Sequence, residues 1–176
     1  MTSSPTPDRA PSGLVDSAPR GSAPEPRIVD GIAGALALPV GEVLGHSGWR
    51  TVTQEQVDLF AEATGDHQWI HVDPARAANG PFGATVAHGY LTLSLVPTML
   101  PEIVVLRGFA MGVNYGCDKV RFPAPVPVGS RLRASAVADQ VVEVAGGIQI
   151  TLTMTFEIEG VAKPACVATI VVRQYP

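Results

Sequence analysis

A chain of 176 residues, 46% hydrophobic and 16% charged, is long enough to bury one sizeable core and too apolar to be disordered throughout. Its net charge is −4 and its 12 Lys and Arg form no cluster, so the electrostatic footprint of a nucleic-acid or anionic-membrane binder is missing and neither partner is expected. Cys117 and Cys166 are too few for a disulfide scaffold and too far apart for a CxxC motif; they suit a reducing cytosol and read as two free thiols in the core.

Residues 1–27 hold Pro5, Pro7, Pro11, Pro19, Pro24 and Pro26 among Ser, Ala and Gly. With hardly any large apolar side chain, this stretch is expected to be a disordered tail, and it lacks the apolar run of a secretory signal. The folded domain is expected from about Ile28 to residue 176.

The first helix is announced by Thr53 and Gln56, which form a capping box, and by Val52 and Val57, which occupy the two positions of a hydrophobic staple. Val57, Phe60, Ala61 and Thr64 then share one face, and Gly65 supplies the stop. Asp66 to Phe82 follows as a polar segment with one short helix expected from Pro74. Val86 to Leu100 is apolar on every side, although His88, Gly89 and Pro97 interrupt it. It falls short of the roughly 20 residues a bilayer crossing needs. The pattern predicts a central helix wrapped by other structure.

Downstream the period changes to two: Ile148, Ile150, Leu152, Met154, Phe156 and Ile158 alternate with polar residues, predicting a strand roughly 36 Å long at about 3.3 Å per residue. Gly146-Gly147 reads as a hairpin turn back to a strand over Ser130 to Val144. Two more strands are expected over Met111 to Phe122 and Ala165 to Arg173. Without crossover helices the sheet is mainly antiparallel, and the domain is α+β.

The densest polar cluster runs Gly65-Asp66-His67-Gln68-Trp69-Ile70-His71-Val72-Asp73-Pro74. Asp66 and His71 are five apart in a chain leaving a helix, a spacing that can bring a carboxylate and an imidazole to one side of a turn. There they could hold one water, one group removing a proton and another returning one. The competing reading makes Asp66 a cap for the helix end or the next turn, and His71 a satisfied, half-buried histidine. His67 and His71 stand i, i+4, but Gln68 occupies the place of the Glu in an HExxH zinc motif and no Cys lies nearby. No metal is expected.

The second feature is His88-Gly89 at the start of the apolar helix. N–H groups of a first helical turn have no intrahelical partner, and Gly89 has no side chain to keep a ligand away. A thioester oxygen gaining charge would be stabilised there by roughly 3 kcal/mol. Tight helix packing around a glycine is the competing explanation.

The run from Ala63 to Pro74, followed by Val86-Ala87-His88-Gly89-Tyr90, resembles the MaoC-like, hotdog-fold (R)-specific enoyl-CoA hydratases, with nodulation-protein-N-like members especially similar. The resemblance extends from about Val43 to the C-terminus and includes Asn114-Tyr115-Gly116 and Val120-Arg121-Phe122-Pro123. It implies a single hotdog domain, a curved antiparallel sheet wrapped around a long central helix, usually as a homodimer. It also implies reversible hydration of trans-2-enoyl-CoA to (R)-3-hydroxyacyl-CoA, and the cytoplasm is the location expected from the two free cysteines. No separate cofactor is implied, because coenzyme A is part of the substrate.

By position, Asp66 and His71 match the family's catalytic pair, and Gly89 matches the residue whose N–H holds the thioester oxygen. Gln68 and Trp69 stand where the family has Asn and Pro. Gln68 keeps an amide that could orient the Asp66 carboxylate, and Trp69 adds bulk to the pocket. His88 is expected to support the site, and Trp69, Tyr90 and Arg121 to contact substrate. Arg121, Lys119 and Arg76 are candidates for the phosphates of CoA, with solvated surface charge as the alternative.

Two other functions fit the same resemblance. A hotdog acyl-thioesterase would need an acidic residue on or beside the central helix; Val86 to Leu100 contains none, and Glu102 follows it. A non-catalytic acyl-thioester-binding subunit is suggested by Gln68 and Trp69. An acyl group on carrier protein could replace the CoA ester.

Overall fold

The computed structural model describes residues 25–176, so the tail expected over residues 1–27 lies outside them except for its last three residues. The chain opens with β1 (Arg27–Asp30), α1 (Gly31–Leu36), β2 (Val43–His46) and β3 (Arg50–Thr51). Four helices follow as α2 (Gln54–Thr64), α3 (Trp69–Val72), α4 (Pro74–Ala77) and α5 (Gly89–Ser94). Next come α6 (Val96–Met99), a 3-10 turn (Leu100–Glu102) and β4 (Val104–Arg107). The long strands close the chain: β5 (Met111–Arg121), β6 (Arg131–Val144), β7 (Gly147–Ile158) and β8 (Cys166–Tyr175).

The main sheet is antiparallel, in the order β2-β6-β7-β8-β5, with β3 also pairing β6. Its strict alternation sends Leu132, Ala134, Ala136 and Ala138 of β6 to the same buried layer as Ile150, Leu152, Met154 and Phe156 of β7. Ala168, Ile170 and Val172 of β8 continue that layer, against which α5 lies. The α+β architecture around a central helical element is therefore as expected. A separate parallel pair, β1 with β4, has no counterpart in the sequence reading, nor has α1.

α2 forms as its signals require. The Thr53 hydroxyl accepts the Gln56 N–H, the Gln56 side chain accepts the Thr53 N–H, and Gly65 ends the helix in the left-handed region at φ 77°. Val57 and Ala61 are buried, whereas Thr64 is exposed and bonds back to the Phe60 carbonyl. The segment after Gly65 holds two short helices, α3 and α4, rather than the one expected from Pro74.

The central element departs from a single helix over Val86 to Leu100. Val86 and Ala87 are extended, with Val86 bridging Pro127 and the Ala87 N–H bonded to the Val126 carbonyl. Helix begins at Gly89 and breaks at Leu95, whose N–H bonds three residues back to Thr92. Pro97, which has no N–H to give, sits in the first turn of α6, the one place in a helix that tolerates it. Nor is the element enclosed all round, since Tyr90, Ser94, Pro97 and Thr98 are exposed.

One thiol also differs from expectation: Cys166 is buried and Cys117 is exposed, because it lies on β5, an edge strand nearly all of whose residues are open to solvent. Among the described residues no helix is long and apolar enough to cross a membrane.

Candidate active site

α3 is a single turn whose geometry aims His71 inward. Its Nδ1 lies 2.6 Å from the Val86 carbonyl, and the Val86 N–H bonds to the Ile70 carbonyl at 2.9 Å. A carbonyl only accepts, so Nδ1 carries the hydrogen and Nε2 remains as the nitrogen that can exchange a proton with a substrate. The His71 carbonyl takes a further bond from Gln54 Nε2 at 2.7 Å.

His88, 3% exposed, stacks on His71 with ring centroids 3.7 Å apart and planes inclined by 24°. Its Nε2 donates to the Asp66 main-chain carbonyl at 3.0 Å, and its Nδ1 is buried without a protein partner. Phe60 of α2 packs on the same ring at 5.1 Å between centroids. Asp66 thus has a fixed backbone, while its carboxylate is 56% exposed and lies 4.0 Å from His88 Nε2.

Asp66, His71 and His88 present ligand-type atoms all within 4.8 Å of one another. Of the pair proposed from spacing, both members are therefore in this group, and His88 joins them from the far side of the polar segment. His67 does not; its ring faces Glu62 at 3.9 Å. Three such residues could hold a metal in composition, but His71 Nδ1 and His88 Nε2 are each already taken by a main-chain carbonyl. The arrangement suits hydrogen bonding to a small polar molecule better.

The capping alternative for Asp66 is realised in part, since Oδ1 accepts the Gln68 N–H at a long 3.4 Å. Gln68 reaches Asp66 through its backbone, not through the amide that the sequence reading invoked. The Trp69 ring is taken up elsewhere, stacked on Gly80 and covered by the Arg76 guanidinium at 4.4 Å.

Gly89 follows His88, whose extended backbone (φ −59°, ψ 139°) leaves the Gly89 N–H at the helix start without an intrahelical acceptor. A Cβ at position 89 would lie 2.8 Å from the Phe122 ring, so within the chain it is Phe122 that requires glycine here. Gly89 and Phe122 line one cavity of about 240 Å³ together with Phe82, Ala87, Thr92 and Val126. Tyr90 is exposed and meets Phe122 edge-on at 5.7 Å. Arg121 is exposed and bonds to the Val120 carbonyl, and Lys119 and Arg76 are also on the surface.

Sequence reasoning missed Gln54 and Thr85. Gln54 Oε1 accepts the Thr85 hydroxyl at 2.6 Å while its Nε2 serves Asp58 and the His71 carbonyl. The only local signal at Gln54 is that it opens a capped helix.

Residues 36–158 match the family model described as a MaoC like domain. The 3-hydroxyacyl-thioester dehydratase Z of Mycobacterium tuberculosis is 56% identical over 139 residues, covering 78% of this chain and 92% of that protein. Nodulation protein N of Rhizobium leguminosarum bv. viciae is 48% identical over 135 residues, 73% of this chain and 82% of that one. The solved (R)-hydratase from A. caviae, involved in PHA biosynthesis, superposes with a TM-score of 0.60 at 26% identity, covering 80% of this chain and 98% of that one. The chain belongs to the MaoC-like dehydratase family of hotdog-fold enzymes.

Proposed function

We propose that the chain adds water reversibly to trans-2-enoyl thioesters, giving (R)-3-hydroxyacyl thioesters, with acyl-CoA or an acyl carrier protein bringing the acyl group. The observation that carries this reading is the gathering of Asp66 and His71 around His88, the residue that directly precedes Gly89 and its helix-opening N–H. Asp66 and His71 hold one water against C3. The Gly89 N–H donates to the thioester oxygen and lowers the cost of charge on C2 and that oxygen. One member of the pair takes the water's proton as the oxygen bonds to C3, and C2 receives a proton on the same face. Dehydration is the same path reversed.

His88 supports the pair by holding the Asp66 main chain, and the Gln68 N–H orients its carboxylate. Tyr90, which meets the Phe122 ring, and the exposed Arg121 are the proposed contacts for the substrate's carrier. No cofactor enters, since the step moves protons and makes one C–O bond. The enzyme acts in the cytoplasm as a homodimer joined through the free edge of β5, where Met111, Val113 and Tyr115 are exposed.

Hydration is favoured over hydrolysis because the acid that follows the central element is already engaged: Glu102 accepts the Gly48 N–H at 2.9 Å and pairs with Arg50. The test is loss of enoyl absorbance from crotonyl-CoA with wild type, Asp66→Asn and His71→Ala. Both folded variants are expected to be at least about 100-fold slower. Unchanged rates would reject the pair, free thiol release would mean a thioesterase, and loss only at stoichiometric protein would mean a binding subunit.

A further inference from the structure

We infer that Gln54 is a positioning residue for His71, an inference that rests on the catalytic role proposed for that histidine. Gln54 is half-buried at the first position of α2, and both its amide N–H groups and its amide oxygen are bonded. Nε2 donates to Asp58 Oδ1 at 2.8 Å and to the His71 carbonyl at 2.7 Å, and Oε1 accepts from Thr85 Oγ1 at 2.6 Å. The first two partners are oxygens that only accept, so the amide can face only one way.

The consequence is geometric. Thr85, itself 4% exposed, is the residue before Val86, whose carbonyl holds His71 Nδ1. Gln54 therefore clamps both strands of the joint that sets the imidazole: the main chain of the residue bearing the ring, and the side chain next to the ring's own acceptor. Without the clamp, the Val86 contact must hold the ring against two segments free to slide. A displacement of about 1 Å in a reacting group is enough to cost roughly 100-fold in rate.

The experiment compares Gln54→Met, Thr85→Val and Thr85→Ser with wild type in the crotonyl-CoA assay, with circular dichroism confirming the fold. Gln54→Met keeps the side chain's length without its hydrogen bonds. It is expected to lower kcat at least about 10-fold with KM within about two-fold, because the reacting geometry and not the binding surface is disturbed. Thr85→Val is expected to fall in the same direction and Thr85→Ser, which keeps the hydroxyl, to recover most of the rate. The His71 Nδ1–H proton resonance is expected to shift or broaden in Gln54→Met and Thr85→Val and to keep its wild-type position in Thr85→Ser.

Wild-type kcat and an unmoved His71 resonance in folded Gln54→Met would overturn the inference, as would a lower melting temperature with kcat per folded molecule unchanged. His71→Ala is the control that separates the two failures. If it retains full activity, the catalytic reading fails; if it is inactive while Gln54→Met is not, only the positioning role is lost.

Discussion

His71 and Val86 are joined by a 2.6 Å bond from imidazole Nδ1–H to main-chain carbonyl, across fifteen residues of chain. That bond fixes the tautomer and leaves Nε2 free for the proton transfer proposed above. Its two halves can be separated. His71→Asn retains an N–H near the position of Nδ1 but has nothing in the place of Nε2. It is expected to unfold within about 1 kcal/mol of wild type and to be about 100-fold slower in hydration. His71→Ala leaves the Val86 carbonyl buried without a partner and is expected to lose about 1–3 kcal/mol as well. Thermal unfolding and crotonyl-CoA turnover measured on both variants check this.

Gly89 and Phe122 form a packing pair that a double-mutant cycle exposes. Gly89→Ala places a methyl 2.8 Å from the Phe122 ring and is expected to cost about 1–3 kcal/mol by overpacking. In the Phe122→Ala background the same substitution has room and gains helix propensity, so its cost is expected to vanish or reverse. Additive denaturation free energies would mean that the ring moves aside freely.

The two cysteines should differ in reactivity and in their effect on alkaline stability. Cys117 is exposed in the single chain and is expected to react with a thiol reagent in the folded monomer, and more slowly where a partner covers β5, while Cys166 reacts only on unfolding. Burial, with a smaller contribution from Cys117, pushes the Cys166 thiol up to about 11 from 9.0. Between those values the unfolded chain has released the proton and the folded one keeps it, so stability is expected to fall as pH rises through that window. Cys166→Ala should flatten this slope in pH-dependent denaturation curves.

The free edge of β5 predicts a dimer mass by light scattering. A charge at Val113, through Val113→Lys, is expected to shift the population toward monomer, because lysine on an edge strand opposes strand addition. A wild-type monomer at working concentration would remove the proposed assembly.

Legibility in the sequence followed the range of the interactions. α2 could be read because its cap, staple and stop all lie within fourteen residues, and β6 and β7 because burial on one face writes itself as alternation. β5 gave the wrong exposure for Cys117, since both faces of this strand are left open in the single chain and its period carries no inside or outside. The parallel pair β1 and β4 is made by short segments far apart in the chain, and small residues such as Gly31, Ala33 and Gly34 hid α1. At the site, Asp66, His71 and Gly89 were visible as residue types at suggestive spacings. The stacking of His88 on His71 and the reach of Gln54 to both strands had no local signature, being contacts across 17 and 31 residues in the case of Gln54. Pro97 was visible, but the apolar run around it masked its effect on the helix.

The bond from His88 to the Asp66 carbonyl makes residue 66 a pivot with an anchored base and a free arm. Rotation about its side-chain torsions alone can carry the carboxylate toward His71 or out to bulk solvent. In the proposed reaction, that arm would let residue 66 meet both the substrate side and bulk water while its main chain stays in place.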